Sequence, residues 1–283
     1  MSPYRLPDPA LEAILGEDTP EGDATTFALG IADAPGVLEY RARGPMTLCG
    51  SEEAARMGQL RDLIIAGPVA ASGSVLDAGQ LILRLEGLAA DLHAVWKTSQ
   101  TLMEYLSGIA SATAAIVAAA RRGNPAASVA CTRKNFPGTK AAAIKAILCG
   151  GATPHRLSLS ETLLVFAEHR AFLDESAAAT LARLRDAWPE RRIVVEVGDE
   201  AEAALWLDAG ADVLQLEKLP VAAVARIATI ATRMPHPPLI AAAGGVNAGN
   251  AEDFARAGAG VLVTSSPYFA PPRDVAVTLR PAP

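Results

Sequence analysis

The C-terminal half of the chain alternates short apolar runs with helical segments. Residues 193–197 are rich in β-branched side chains, and 200–210 follow as a helix that ends in glycine. The alternation continues through 211–217, 220–233, 238–246, 250–258 and 260–266. Because buried strands that alternate with helices form right-handed βαβ units, we predict a parallel sheet or barrel. The short repeat and the lack of a GxGxxG motif favour the barrel.

The middle of the chain shows a similar pattern. A helix is predicted over roughly 98–122, ended by the Gly-Asn-Pro sequence that begins at Gly123. We predict a strand at 127–132, a helix at 139–151 that a double glycine ends, and a further apolar core run within 161–169. These segments are assigned to the barrel.

The first hundred residues have a different pattern. The segments 26–33, 36–44 and 63–87 are predicted as strands that glycine and proline turns interrupt. We therefore predict two domains, with a small α+β domain at 1–105 and the barrel domain at 106–283. An alternative is that the extreme C-terminus packs back on the N-terminal domain.

Composition excludes several function classes. The net charge of −6 argues against a nucleic-acid or anionic-membrane partner. No uninterrupted apolar run has the length of a membrane span, and the N-terminus has no signal-peptide pattern. Cys49, Cys131 and Cys149 are odd in number and lack CxxC spacing, so we expect reduced, buried thiols in a cytoplasmic protein.

Polar side chains follow nearly every predicted barrel strand. In a barrel the carboxyl ends of the strands and the loops after them carry the function, so these residues are expected to share one rim. The candidates are Arg133, Lys134, His155, Arg156, Glu196, Glu217, Gly244, Gly245, Thr264 and Ser265.

The residue types at this rim indicate an anionic ligand. Arginine pairs with carboxylates and phosphates, and lysine adds a compact charge. Carboxylates at neighbouring strand ends orient a ribose or hold Mg²⁺ that already carries phosphates. A glycine pair after a buried strand allows a phosphate to approach the backbone. The alternatives are a solvated basic face, salt-bridged strand ends and an ordinary glycine turn.

A series of specific short motifs adds to this interpretation of the rim. TRK at 132–134, PG at 137–138, CGG at 149–151 and HR at 155–156 together resemble the quinolinate phosphoribosyltransferase family, and the resemblance covers nearly the whole chain. It implies an N-terminal sandwich-like domain and an incomplete parallel α/β barrel. It also implies transfer of phosphoribose from phosphoribosyl pyrophosphate to quinolinate, with Mg²⁺.

The resemblance also implies roles for single residues. Arg133, His155 and Arg156 match positions that hold the acceptor's carboxylates, and Lys134 matches a lysine that faces both substrates. Lys97 matches an arginine that reaches into a neighbouring subunit's site, which implies a homodimer with shared active sites.

The remaining matches concern the ribose, the metal and the phosphate. Glu196 and Glu217 match the acidic pair near the ribose and the substrate-bound Mg²⁺, and with Lys134 they form the predicted catalytic set. The 5′-phosphate region is implied at Gly244, Gly245, Thr264 and Ser265.

Five positions depart from the family pattern. Cys131 replaces Asp, Phe166 replaces Lys, Glu168 replaces Asn, Glu217 replaces Asp and Thr264 replaces Gly. The sequences TRKNFPGTK at 132–140, HRLSLSET at 155–162 and LLVFAEH at 163–169 more closely resemble the ModD branch, which is associated with molybdate-transport genes. We therefore predict a pyrophosphate-releasing phosphoribosyltransferase that uses another small acidic heterocycle. The alternative is a non-catalytic oxyanion- or nucleotide-binding protein with a degenerate site, and Phe166 has the further alternative of packing in the core.

Overall fold

The computed structural model describes residues 4–282. Its strands are β1 (Pro35–Ala42), β2 (Met46–Thr47), β3 (Ile64–Ile65), β4 (Val75–Leu76), β5 (Leu81–Leu88), β6 (Ser128–Cys131), β7 (Thr153–Pro154), β8 (Leu163–Val165), β9 (Ile193–Val197), β10 (Val213–Glu217), β11 (Leu239–Ala243), β12 (Val261–Thr264) and β13 (Val275–Pro281). Its helices are α1 (Asp8–Asp18), α2 (Ala24–Ala28), α3 (Ser51–Gln59), α4 (Ala89–Gly123), α5 (Lys140–Cys149), α6 (Ala167–Arg170), α7 (Ala177–Ala187), α8 (Glu200–Asp208), α9 (Val221–Ala231) and α10 (Ala251–Arg256), and Ser266–Phe269 form a 3-10 helix.

The chain divides into two units. Unit 1 contains the described residues up to Ala114, Phe136–Gly150 and the segment from Pro267 onward, and unit 2 contains Ala115–Asn135 and Gly151–Ser266. The predicted boundary at residue 105 falls inside α4. The segment Phe136–Gly150, which the sequence pattern assigns to the barrel domain, belongs to unit 1.

Unit 1 contains a four-stranded antiparallel sheet in the order β13-β1-β5-β3. The strand β13 pairs with β1 from Gly36↔Pro281 to Ala42↔Val275, so the chain's last strand completes this sheet. Leucines of α1 and the inner residues of β1 and β5 form its core, in which Tyr40 is fully buried. The hydroxyl of Tyr40 lies 2.7 Å from that of Ser99 and so has a partner inside the core.

Two elements of unit 1 differ from the prediction. Residues 26–33 are predicted as a strand, but the first of them belong to the helix α2. Asp23 caps this helix by accepting a hydrogen bond from the Thr25 amide. The long helix begins at Ala89 rather than near 98. Leu92, Val95 and Ser99 recur at helical spacing and are fully buried, so the apolar face of the helix extends through this segment.

The helix α4 is long and apolar enough to cross a membrane by length and composition alone. Half of its most apolar window is buried within the protein, and a buried core helix has the same composition. This feature is therefore weak evidence for a membrane span. The three cysteines are free thiols; Cys49 and Cys131 are buried and Cys149 is half-buried.

Unit 2 is a seven-stranded parallel sheet in the order β7-β6-β12-β11-β10-β9-β8. The two edge strands are β7 and β8, so the sheet forms an incomplete barrel, as predicted. The strand predicted at 193–197 is β9 to the residue, and the predicted helices that follow it are present as α8, α9 and α10. Small and branched side chains, among them Ala241, Ala243 and Val263, form an apolar cluster on the strands. Parallel pairing aligns the carboxyl ends of these strands at one rim.

Candidate active site

The rim of unit 2 surrounds a cavity of about 670 Å³. Ten of the eleven predicted site residues line it, each at or just beyond the end of a strand; the eleventh, Lys97, belongs to unit 1. The ten are Arg133, Lys134, His155, Arg156, Glu196, Glu217, Gly244, Gly245, Thr264 and Ser265. The alternation of buried strands and polar strand ends therefore located the cavity from the sequence.

The basic residues follow the neighbouring strands β6 and β7. Arg133 and Lys134 are exposed, whereas Arg156 is only 8% exposed. Burial lowers the pKa of Arg156, and the nearby charge of Arg133 lowers it further. Burial, and then the charge of Arg156, also lower the pKa of His155. These shifts reflect positive charges crowded together in a partly buried place.

Arg156 forms no ion pair with a carboxylate among residues 4–282. Its guanidinium carbon lies 5.6 Å from the centre of the Phe166 ring, which is a cation–π contact. An arginine that is buried without a carboxylate is costly unless an anion binds it. Arg156 is therefore prepared to receive an anionic ligand.

Phe166 forms the wall of the cavity beside the end of β8. Its ring is half-buried, lines the cavity, and stacks on His169 with ring centres 5.7 Å apart. The backbone amide of Phe166 donates to Nδ1 of His169 over 3.0 Å, which holds the two rings together. Phe166 thus faces the site, and the alternative that it packs in the core is wrong.

The acidic residues belong to β9 and β10. Burial raises the pKa of Glu196; a hydrogen bond from Gln215 acts in the opposite sense, and repulsion from Glu217 and Glu168 raises it further. Nε2 of Gln215 donates to Oε2 of Glu196 over 2.6 Å. This pair holds a carboxylate in the cavity on β9, two strands away from the glycine turn that follows β11.

The glycine turn follows β11. Gly244 and Gly245 have φ angles of 81° and 85°, in the left-handed region that favours glycine. A Cβ on Gly244 would lie 2.5 Å from Cγ of Lys218 and 2.8 Å from Oε1 of Glu217, so only glycine fits there. A Cβ on Gly245 would meet nothing within 4 Å. This backbone is open to a ligand at Gly245 and tightly packed at Gly244.

Thr264 lies at the end of β12 and is 4% exposed. Its hydroxyl donates to the Val246 carbonyl over 2.6 Å and accepts from the Ser266 amide over 3.1 Å. These hydrogen bonds of the Thr264 hydroxyl therefore connect the loop after β11 with the loop after β12. Thr264 shapes the predicted phosphate region, and the adjacent Ser265 also lines the cavity.

Sequence reasoning assigned no role to two of the polar residues that line the cavity, Gln215 and Lys218. Gln215 lies two positions before Glu217, hence on the same face of the strand, and a lone glutamine in an apolar run was the available signal. Lys218 has a φ of 56°, and its Nζ lies 3.7 Å from Oε1 of Glu217. A left-handed lysine is uncommon and concentrates at functional sites, but φ is not visible in a sequence.

Lys97 lies on α4 in unit 1. It is exposed, and its Nζ lies 4.5 Å from the centre of the Trp96 ring and 3.4 Å from Oε1 of Gln100. Both contacts are made by an exposed side chain to residues of the same helix, so each contributes little to stability.

No group of three or more potential metal ligands occurs among residues 4–282. Glu196 and Glu217 are two carboxylates of the cavity on the neighbouring strands β9 and β10, and the charge of Glu217 contributes to the raised pKa of Glu196. Two carboxylates suit Mg²⁺ when substrate phosphates supply further oxygens. The site therefore fits a metal that arrives with a phosphate ligand and lacks an all-protein metal cage within the part of the chain described.

Comparison with known proteins gives consistent results. The family model for the N-terminal domain of quinolinate phosphoribosyl transferase matches residues 23–107, and the model for its C-terminal domain matches 109–278. A relative from Rhodobacter capsulatus, which carries the provisional name pyrophosphorylase ModD, is 49% identical over 90% of this chain and 98% of its own. A second ModD, from Escherichia coli O6:H1, is 37% identical over 96% of both chains.

A solved structure is also similar. NadC from Streptococcus pyogenes superposes with a TM-score of 0.88 at 25% identity, covering 98% of this chain and 97% of its own. The likeness includes both the part of the chain with the antiparallel sheet and the part with the incomplete barrel.

Proposed function

The chain belongs to the quinolinate phosphoribosyltransferase family, whose members are phosphoribosyltransferases, and we propose that it transfers phosphoribose from phosphoribosyl pyrophosphate to a small acidic heterocycle. A bond forms between the acceptor and the anomeric carbon, and the bond from that carbon to pyrophosphate breaks. A link to molybdenum transport is part of the proposal and rests on the likeness to ModD alone.

The observation that carries the proposal is the buried guanidinium of Arg156. It lies in the cavity with Arg133, Lys134 and His155, and none of the described carboxylates pairs with it. A single contact between opposite charges about 4 Å apart is worth roughly 4 kcal/mol at an intermediate dielectric. Several cations around one cavity therefore suit ligands with several negative charges, such as a pyrophosphate ester and a carboxylate.

The proposed mechanism uses the two sides of the cavity differently. Arg133, His155 and Arg156 orient the carboxylate of the acceptor, and Lys134 stabilises the departing pyrophosphate. Glu196 and Glu217 accept hydrogen bonds from the ribose hydroxyls and offset the positive charge that develops on the ring. Positioning and preorganised charge supply most of the acceleration.

Mg²⁺ belongs to the proposal as a metal that enters with phosphoribosyl pyrophosphate. Glu196 and Glu217 would hold it together with phosphate oxygens, and it would neutralise charge on the leaving group. The 5′-phosphate of the substrate is placed at Gly245 and Ser265, beside the loop that Thr264 holds.

The acceptor is proposed to differ from quinolinate. Phe166 presents a neutral ring where the family pattern has a lysine, and this ring already contacts Arg156. The cavity therefore has one cation fewer for a dicarboxylate and one flat apolar surface more. A larger or less charged acidic heterocycle suits such a wall.

The proposal includes a homodimer in which the partner subunit's Lys97 completes the site. Mixing a Lys97→Ala variant with an Arg133→Ala variant is expected to restore part of the activity, since half of the mixed sites would carry neither change. A monomer that retains full activity would contradict shared sites.

The central experiment measures two quantities with one ligand. Phosphoribosyl pyrophosphate with Mg²⁺ at a hundred times its dissociation constant should stabilise the protein by about 2.7 kcal/mol, which is measurable as a rise in Tm. Pyrophosphate release is then assayed across a panel of acidic heterocycles. An unchanged Tm at millimolar ligand would refute the proposal, whereas binding without release for any acceptor would favour the non-catalytic alternative.

A further inference from the structure

Gln215 has a buried oxygen without a protein partner. The side chain is 4% exposed and lines the cavity from the middle of β10. Its Nε2 donates to Oε2 of Glu196, while its Oε1 accepts no hydrogen bond from residues 4–282. Buried polar groups in native proteins nearly always have a partner, so this oxygen requires an explanation.

The orientation of the amide is fixed by its neighbour. Gln215 and Glu196 lie opposite each other in the parallel pairing of β10 and β9. An ionised carboxylate accepts hydrogen bonds and donates none, so the amide nitrogen must face Glu196 and the oxygen must face away. Ala241, the register partner on the other side, offers only a methyl group.

The lining of the cavity includes apolar side chains as well as polar ones. Ala243, Leu164 and Val263 line the same cavity, and none of their side chains has a donor. The lysines and arginines of the cavity belong to the loops beyond the strand ends, whereas Gln215 lies two residues before the end of its strand. Gln215 therefore presents an acceptor without a protein partner, at a position in the strand before the loops that carry the basic residues.

We propose that Gln215 is a substrate-binding residue whose Oε1 accepts a hydrogen bond from an N–H or O–H group of a substrate, while its Nε2 positions Glu196. The inference rests on the proposed function and names a requirement of that same site. The donor is either a ribose hydroxyl of phosphoribosyl pyrophosphate or an amino, hydroxyl or ring N–H group of the acceptor. A site built around such an acceptor discriminates against ligands that lack the donor.

The test uses Gln215→Met, which keeps the length of the side chain and removes both polar atoms. The variant loses the orphan oxygen but also the hydrogen bond to Glu196, and methionine packs adaptably, so the Tm of the unliganded variant should stay close to that of the wild type. Leu214→Met, on the buried opposite face of the same strand, is the control for a methionine in β10. Gln215→Leu serves as the second variant if the methionine variant does not fold.

Titrations separate the two sources of the donor. If the donor is on the ribose, Gln215→Met should bind phosphoribosyl pyrophosphate with Mg²⁺ about tenfold more weakly than the wild type and Leu214→Met. If the donor is on the acceptor, that affinity should fall by much less than tenfold, since only the hydrogen bond that positions Glu196 is lost. The wild type should then prefer 3-hydroxypicolinate over picolinate by about tenfold, and the variant should lose this preference.

Three other results would overturn the inference. One is equal affinity of the wild type and Gln215→Met for all three probes. Another is a lower Tm of the unliganded variant with undiminished ligand-induced stabilisation, since that describes a purely structural side chain. The third, a wild type that does not respond to phosphoribosyl pyrophosphate at all, refutes the proposed function, and the inference falls with it.

Discussion

The contact between Arg156 and Phe166 makes Phe166→Lys an informative substitution. The new ammonium would lie near the position of the ring, 5.6 Å from the guanidinium carbon. Two positive charges at that separation repel by about 3 kcal/mol at an effective dielectric of 20, and by less than 1 kcal/mol in water. Loss of the cation–π contact adds roughly 0.5–2 kcal/mol. The unliganded variant should therefore have a lower free energy of unfolding by about 1–5 kcal/mol.

The same charge should improve the use of a dicarboxylate. A dianionic acceptor that lies between the new lysine and Arg156 relieves the repulsion, so its binding recovers part of the lost stability. We expect weak or no turnover of quinolinate by the wild type and a higher kcat/KM for quinolinate in Phe166→Lys. Stabilisation of the variant by quinolinate, measured as a rise in Tm, should exceed that of the wild type.

Two controls make the comparison decisive. Phe166→Met removes the ring without adding charge, and should lower stability without improving the use of quinolinate. Glu168 also lines the cavity and can pair with the new lysine, so the double variant Phe166→Lys with Glu168→Gln keeps the charge available. Robust turnover of quinolinate by the wild type, or no difference between the lysine and methionine variants, would show that the charge at position 166 does not set acceptor choice.

Further predictions concern other residues. Arg156→Met should leave the Tm unchanged or raise it, since an unpaired buried charge is removed. It should lower kcat/KM with any acceptor by about a hundredfold or more, and near-normal turnover would contradict the role of Arg156. Burial raises the pKa of Glu196, so ionisation of this carboxylate destabilises the folded protein. This destabilisation is absent below about pH 4.5 and grows as the pH rises. Glu196→Gln should therefore raise the Tm by a few degrees at pH 8 and not at pH 4, while activity is lost; a Tm difference that does not change with pH would refute this account. In unit 1, Lys145 is 1% exposed and forms ion pairs with Glu52, at 2.8 Å, and with Glu53. Lys145→Met should therefore lower the free energy of unfolding by about 3–5 kcal/mol, measured with denaturant. A loss below about 1 kcal/mol would show that these ion pairs are dispensable.

The barrel and most of its rim were predictable because both follow from local pattern. The run IVVEV at 193–197 is bounded by polar residues and helix signals, and it forms a strand with the predicted limits. Since the carboxyl ends of parallel strands meet at one rim, the placement of Arg133, Glu196 and Gly244 around one cavity follows from their positions in the chain.

Other features depend on contacts between distant segments. The contact of Arg156 with Phe166 joins loops that follow the two edge strands of the sheet, and no local pattern specifies that approach. The segment at 26–33 has the composition of a strand, yet the Asp23 cap and a buried Thr26 start a helix there. Tertiary context overrides weak propensity in such short segments.

The alanines of β11 have a consequence for how acceptor use can change over time. Ala243 lines the cavity and Ala241 is buried one layer below it, so the interior face of this strand is among the smallest that a barrel can have. Substitution of one of these alanines by valine would change the volume beneath the ligand, and substitution by serine would change the polarity there. The backbone and the charged rim would stay in place. In a protein of this design, single substitutions beneath the ligand can change which heterocycle is accepted while the groups that hold anions persist.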